Sequence, residues 1–218
     1  MATIPVYFMP GLAASPLIFE HIRLPDDFEI HLLEWQIPLA GESLQDYARR
    51  MSVNITHKDA VLVGVSFGGI LMQELSAFVN PRKTIIISSV KSNKEMPRRM
   101  RWAKATGVYK LIPIDLVAKV DKLARFSLGS KINERLKMYE KYLSVRDSQY
   151  LSWAIENVIQ WNRAEADPKV VHIHGTKDEV FPPRYISHFI PVEGGTHVMI
   201  LNRHRWMNEN LPRIILQE

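Results

Sequence analysis

The 218-residue chain is 46% hydrophobic and 23% charged, the proportions of an ordinary globular domain with one full-sized core. It contains no cysteine, which excludes disulfides, thiolate catalysis and zinc–thiolate centres and fits a reducing cytoplasm, the compartment expected for it. The net charge of +5 is uneven: residues 91–146 hold fifteen Lys and Arg against five Asp and Glu, so the remainder is net acidic.

Residues 4–9 are a short apolar run ending in Pro10-Gly11, which predicts a strand and a turn. The opening stretch is apolar and rich in small residues, but it lacks a basic n-region and is broken by Pro5 and Pro10. It is read as mature sequence rather than as a signal peptide. Alternation over 28–35 predicts a second strand, and Ser43 caps a helix with staple-like apolar spacing. Residues 60–65 form a third apolar strand that runs directly into Gly64-Val65-Ser66-Phe67-Gly68, and 69–79 continue as an apolar helix. The β-branched run 84–90 is expected to be a fully buried parallel strand.

Residues 92–162 hold no convincing strand; helical spacing falls over 95–106, 114–126, 131–143 and 148–161. A fifth strand follows over 170–174, a sixth over 187–192, and a terminal helix over 198–211. No stretch reaches 18 apolar residues, so no stable membrane insertion is expected. Strands alternating with helices predict one α/β domain over 1–218, a doubly wound, mostly parallel sheet of about six strands. The helical block 92–162, inserted after the fourth strand, is the candidate lid. Its basic character is most simply a solvated helical face, although it also favours an anionic small-molecule substrate. No zinc finger, RNA-binding sheet motif or phosphate-cradling glycine loop accompanies it, so nucleic acid is not an expected partner. The sequence leaves the oligomeric state open.

Gly-x-Ser-x-Gly between a strand and a helix is a strained turn that pushes the serine hydroxyl out of the backbone, with glycines where side chains would collide. A hydroxyl is a weak nucleophile until a base takes its proton, and that base needs a third group to hold its tautomer. Asp178 stands in a loop after the fifth strand, within His174-Gly175-Thr176-Lys177-Asp178-Glu179-Val180-Phe181-Pro182. His197 follows the sixth strand in Glu193-Gly194-Gly195-Thr196-His197. All three residues fall at the carboxyl ends of strands, where open α/β sheets bind ligands. Glu179, Glu193 and Glu95 are rival acids. His172 and His174 share a strand face but have no third ligand nearby in sequence, so they are read as packed histidines and no metal or other cofactor is expected. His21, His31, His57, His188 and His204 have no motif around them.

Over essentially its whole length the chain resembles α/β-hydrolase-fold serine hydrolases. Gly64-Val65-Ser66-Phe67-Gly68 is similar to the nucleophile elbow, His174-Gly175-x-x-Asp178 to the acid loop, and Gly194-Gly195-x-His197 to the histidine loop. The resemblance implies a triad of Ser66, Asp178 and His197, and an oxyanion hole made by the amides of Phe67 and Leu12. Pro10 stands where the family usually carries a histidine, and the chain begins at the first parallel strand, as in a minimal version of the fold. Leu12, Phe67, Gly11, Trp35, Trp102, Tyr109, Val180 and Phe181 are the candidate pocket residues. The expected chemistry is hydrolysis of a carboxylic ester, thioester or small amide through an acyl-enzyme. The rivals are carbon–carbon bond hydrolysis, a lyase reaction or cofactor-free peroxidation on the same scaffold, and a ligand-binding receptor with vestigial turnover.

Overall fold

Hydrophobic side chains on the first strand point alternately to two different cores, as the two-residue period of a strand requires. In a computed structural model, which describes residues 3–111 and 141–217, β1 (Ile4–Met9) sends Val6 and Phe8 to one side of a sheet and Tyr7 and Met9 to the other. β1 is joined by β2 (Phe28–Leu32), β3 (Val61–Val65), β4 (Lys83–Ile87), β5 (Val170–Gly175) and β6 (Ile190–Val192). The six strands are parallel and run in the order β2-β1-β3-β4-β5-β6, the predicted architecture with every pairing parallel.

The helices cover both faces, which is why β3 and β4 are so apolar. On one face lie α1 (Leu44–Ser52), α2 (Phe67–Val79) and α4 (Ser148–Gln160), whose Tyr47, Leu71 and Tyr150 pack with Leu62. On the other lie the short α5 (Met199–Asn202) and α6 (His204–Leu216), with Met207 and Leu211 against Val63 and Ile85. Ser43 caps α1 as expected, accepting from the Asp46 amide at 3.1 Å, and Asp147 caps α4 through the Tyr150 amide at 2.8 Å.

Several boundaries differ from the sequence reading, mostly at edges. β2 stops at Leu32 rather than residue 35, although the Leu33 amide still reaches the Phe8 carbonyl at 2.9 Å. β6 is only three residues long; Pro191 suits this outermost position because an edge strand leaves one N–H side unpaired. α6 runs to Leu216, five residues past the predicted end, because Ile214 and Ile215 still face the core. Between β4 and β5 the described helices are α3 (Arg98–Thr106) and α4, close to two of the expected spans. The helix expected over 114–126 and most of that over 131–143 lie outside the described residues. Among the described residues, no helix is long and apolar enough to cross a membrane.

The loops that leave β1, β3, β4, β5 and β6 at their C-terminal ends all open at one rim of the sheet. That rim gathers Pro10 to Ala14, Ser66, Ser88 to Ser92, Thr176 to Phe181 and Glu193 to His197.

Candidate active site

Ser66 sits at the junction of β3 and α2 with φ 53° and ψ −118°, a conformation that disfavours any side chain other than glycine's hydrogen. The strain is held in place by close packing on both sides. A Cβ on Gly64 would lie 2.3 Å from the Gly68 carbonyl oxygen, and one on Gly68 would lie 2.4 Å from that of Pro10. The turn is also tied by hydrogen bonds: the Ser66 amide donates to Ile87 O at 2.9 Å, and Ser89 Oγ donates to Ser66 O at 2.7 Å. The backbone is thus fixed while the Ser66 side chain is left to project over the rim.

Opposite it, His197 Nε2 lies 3.0 Å from Ser66 Oγ, and His197 Nδ1 lies 2.9 Å from Asp178 Oδ2. A carboxylate only accepts, so Nδ1 carries the proton and Nε2 offers its lone pair to the serine hydroxyl. Asp178 is fully buried, and its other oxygen, Oδ1, accepts from the amides of Val180 at 2.8 Å and Phe181 at 2.9 Å. Those two bonds close the loop after β5 around its own carboxylate and aim Oδ2 at the imidazole. The Phe181 ring meets the His197 ring edge-on, with centroids 5.6 Å apart.

The rival acids are placed elsewhere. Glu95 is buried, but its Oε2 accepts from the Lys91 amide at 2.7 Å, and Oε1 from Ser187 Oγ at 2.8 Å and the Ser187 amide at 3.1 Å. It ties the loop after β4 to the segment before β6. Glu179 is exposed, and exposed Glu193 accepts from Thr176 Oγ1 at 3.2 Å.

The loop after β1 is braced rather than lined by its nearest aromatic. Trp35 Nε1 donates to the Gly11 carbonyl at 2.8 Å, and the indole stacks on Phe67 at 4.9 Å and 9°. Ala14 N also donates to Gly11 O, closing a turn in which Ala13 takes φ 63°. The Ala13 amide reaches Tyr150 Oη at 3.4 Å, while Val145 N and Ser15 N exchange bonds with this loop and Tyr142. Burial pushes the Tyr150 hydroxyl well above the usual tyrosine range, so it stays neutral. With Gly11 O committed to these partners, the amides of Leu12 and Phe67 donate to no group among the described residues.

Beside Ser66 and His197 opens a cavity of about 280 Å³. Of the candidate pocket residues, Gly11, Leu12, Phe67, Val180 and Phe181 line it. Trp35, Tyr109 and Trp102 do not. Trp35 lies behind the Gly11 loop; Tyr109 is buried and accepts from Gln160 Nε2 at 2.9 Å; Trp102 is 61% exposed on α3. The wall is completed by residues without a local sequence signal: Ile18, Met100 of α3, Leu143, Val158 of α4, and Ile200 and Leu201 of α5. Among the described residues that line it there is no Lys or Arg.

Deeper in β5, His172 Nε2 lies 3.0 Å from His174 Nδ1, and His174 Nε2 lies 2.8 Å from the Phe181 carbonyl. A carbonyl only accepts, so His174 is protonated on Nε2, its Nδ1 accepts from His172 Nε2–H, and the buried His172 Nδ1 is left without a partner among the described residues. Burial holds both rings below the usual histidine range, His172 the more so. His174 is therefore neutral, and its 3.7 Å approach to Asp178 Oδ2 is a van der Waals neighbour rather than an ion pair.

No protein-family model matches the chain, and no curated protein matches it in sequence. Solved structures do. A bromoperoxidase from Bacillus anthracis superposes with a TM-score of 0.71 at 14% identity, over 100% of this chain and 93% of that one. An enol-lactonase from Burkholderia xenovorans LB400 gives 0.70 at 13%, over 100% and 93%, and an esterase from Exiguobacterium antarcticum gives 0.68 at 17%, over 99% and 93%. At such identities the likeness is one of architecture: the chain has the α/β-hydrolase fold.

Proposed function

We propose that this protein is a serine hydrolase that cleaves small carboxylic esters through an acyl-enzyme. The observation that carries the reading is the continuous hydrogen-bonded line from Ser66 Oγ through His197 to Asp178, at 3.0 and 2.9 Å. His197 Nε2 takes the hydroxyl proton as Ser66 Oγ attacks the ester carbonyl, and Asp178 stabilises the imidazolium that forms. The negative oxygen of the tetrahedral intermediate is received by the amides of Phe67 and Leu12, each donor of this kind being worth on the order of 100- to 1,000-fold in rate. The imidazolium then gives its proton to the departing alcohol, and a water deprotonated by the same Nε2 hydrolyses the acyl-serine.

The cavity supports a preference for a compact, apolar acyl or alcohol group. Its wall is aliphatic and aromatic, and its volume holds roughly ten carbon atoms, short of a long acyl chain. In this reading α3 and α4 contribute to a cap, since Met100 and Val158 line the same cavity as Ser66.

Hydrolysis of p-nitrophenyl esters of two to twelve acyl carbons tests it. Turnover by the wild type that peaks at short chains, with none by Ser66→Ala, is expected. Equal activity in wild type and Ser66→Ala would remove the proposed nucleophile.

A further inference from the structure

Far from the Ser66 cavity, at the β2 edge of the sheet, three side chains converge that the proposed chemistry does not use. Glu29 and His31 are two residues apart on β2 and so share a face, and His57 arrives from the loop between α1 and β3. One donor atom from each lies within 4.8 Å of the other two. We propose that these residues form a binding site for a divalent transition-metal ion of the zinc type, with two imidazole nitrogens and one carboxylate oxygen as ligands.

The chemistry of the donors favours this class. Two imidazoles and a carboxylate are the ligand set of open zinc sites, whereas magnesium and calcium take oxygen alone. With no cysteine in the chain, imidazole is the softest strong donor available. The surroundings also orient the ligands. Tyr7, directly across the β1–β2 register from His31, stacks on the His31 ring at 4.6 Å and 18°. The same tyrosine's hydroxyl lies 2.6 Å from His57 Nδ1; with a metal on Nε2, Nδ1 carries the proton and the hydroxyl accepts it. It also accepts from the Thr56 amide at 3.2 Å, and lies 3.3 Å from Thr56 Oγ1, to which its own proton can go. A metal-binding histidine characteristically has its second nitrogen fixed in this manner.

His31 supplies the second pointer. Its Nε2 atom is enclosed yet makes no hydrogen bond. Glu29 Oε1 is 3.3 Å away, a distance of ion-pair range without the alignment of a hydrogen bond. An ion between them would satisfy both. Ligands at 2.0–2.2 Å around a tetrahedral centre sit about 3.4 Å apart, so the exposed ends of Glu29 and His57 need to close in by about an ångström. Bound metal would staple the loop carrying His57 onto the outermost strand.

The test is zinc titration of the chelator-treated full chain by calorimetry, together with its melting temperature. The wild type should take up one zinc per chain and melt higher with it. His57→Ala and Glu29→Gln should each weaken that binding at least tenfold, and Tyr7→Phe should weaken it by about tenfold while keeping the ligand set. His21→Ala serves as the control, because His21 and His204 form a separate histidine pair elsewhere on the surface, with centroids 5.0 Å apart. It should bind zinc as the wild type does. X-ray absorption should show two nitrogen neighbours of imidazole type. No binding by the wild type, loss in His21→Ala with retention in His57→Ala, or a shell of oxygens alone would each overturn the proposal. Because none of these readouts depends on ester turnover, failure of the hydrolase reading leaves this test intact.

Discussion

Asp178 has two histidine neighbours, and the contrast between them separates chemistry from scaffolding. His197 is partly exposed, sits on a loop, and meets an acid on one nitrogen and a hydroxyl on the other. His174 is fully buried on β5 and spends both nitrogens on internal partners, a carbonyl and a second histidine. Both lie within 4 Å of the same Oδ2 oxygen. Only the first turns a nitrogen toward the Ser66 cavity. A base needs a free lone pair, a partner for the charge it acquires, and access to the reacting atom; His174 lacks the first and the last, and burial keeps it neutral.

The largest test of that contrast is Ser66→Ala, which removes the group that His197 acts upon in the proposed mechanism. Turnover should fall on the order of 10⁶-fold while circular dichroism stays unchanged, since the neighbouring glycines and Ser89 hold the turn. Asp178→Asn keeps an acceptor for the Val180 and Phe181 amides but can present an amide N–H to His197, favouring the wrong tautomer. Its kcat should drop on the order of 10⁴-fold, and a loss under tenfold would shift the acid's role to another carboxylate. His174→Ala should behave in the opposite way. It leaves a cavity and an unpaired Phe181 carbonyl, costing about 2–4 kcal/mol, so the melting temperature should fall by roughly 5–15 °C. The folded enzyme should keep its kcat within about tenfold; a catalytic collapse in a stable protein would contradict the division of labour.

The test that changes no residue in the wild type is a pH dependence of stability. His172 and His174 are held below the usual histidine range by burial, so below about pH 6.5 the unfolded chain binds protons that the folded one refuses. Stability should therefore be full above that pH and decline as pH falls, by about 1.4 kcal/mol per pH unit for each histidine while only the unfolded state is protonated. Urea unfolding between pH 7.5 and 5 would show the decline, and His172→Phe should flatten it. An unchanged slope in that variant would place the sensitivity elsewhere.

What could be read in advance follows from how local each determinant is. Ser66, Asp178 and His197 each stand in a short motif at the end of a strand, and a parallel sheet brings all strand ends to one rim, so three local signals became one site. The buried strands were equally plain, because 61–65 and 85–87 are apolar on both faces. Trp35 was misplaced because its direction depends on β2 ending early at the sheet edge, which sends the indole behind Gly11 rather than into the cavity. Met100, Leu143 and Val158 carry no motif, and reach the cavity only through the packing of α3, α4 and the segment before α4. Glu95 looked like a spare acid in a basic run, whereas Ser187, 92 residues away, occupies it. The Glu29–His31–His57 cluster was invisible for the same reason: its third member is brought in by a loop across 26 residues of chain.

The most direct measurement is labelling with a fluorescent fluorophosphonate, which reacts only with a serine whose hydroxyl is activated by a base. Wild type, Ser66→Ala, His197→Ala and His174→Ala would be compared, with intact mass and peptide mapping to locate the adduct. One adduct per chain on Ser66 in the wild type and in folded His174→Ala, and none in the other two, is the predicted result. A folded wild type that takes no label, or a label that persists in His197→Ala, would contradict the claim that His197 and Asp178 make Ser66 a nucleophile.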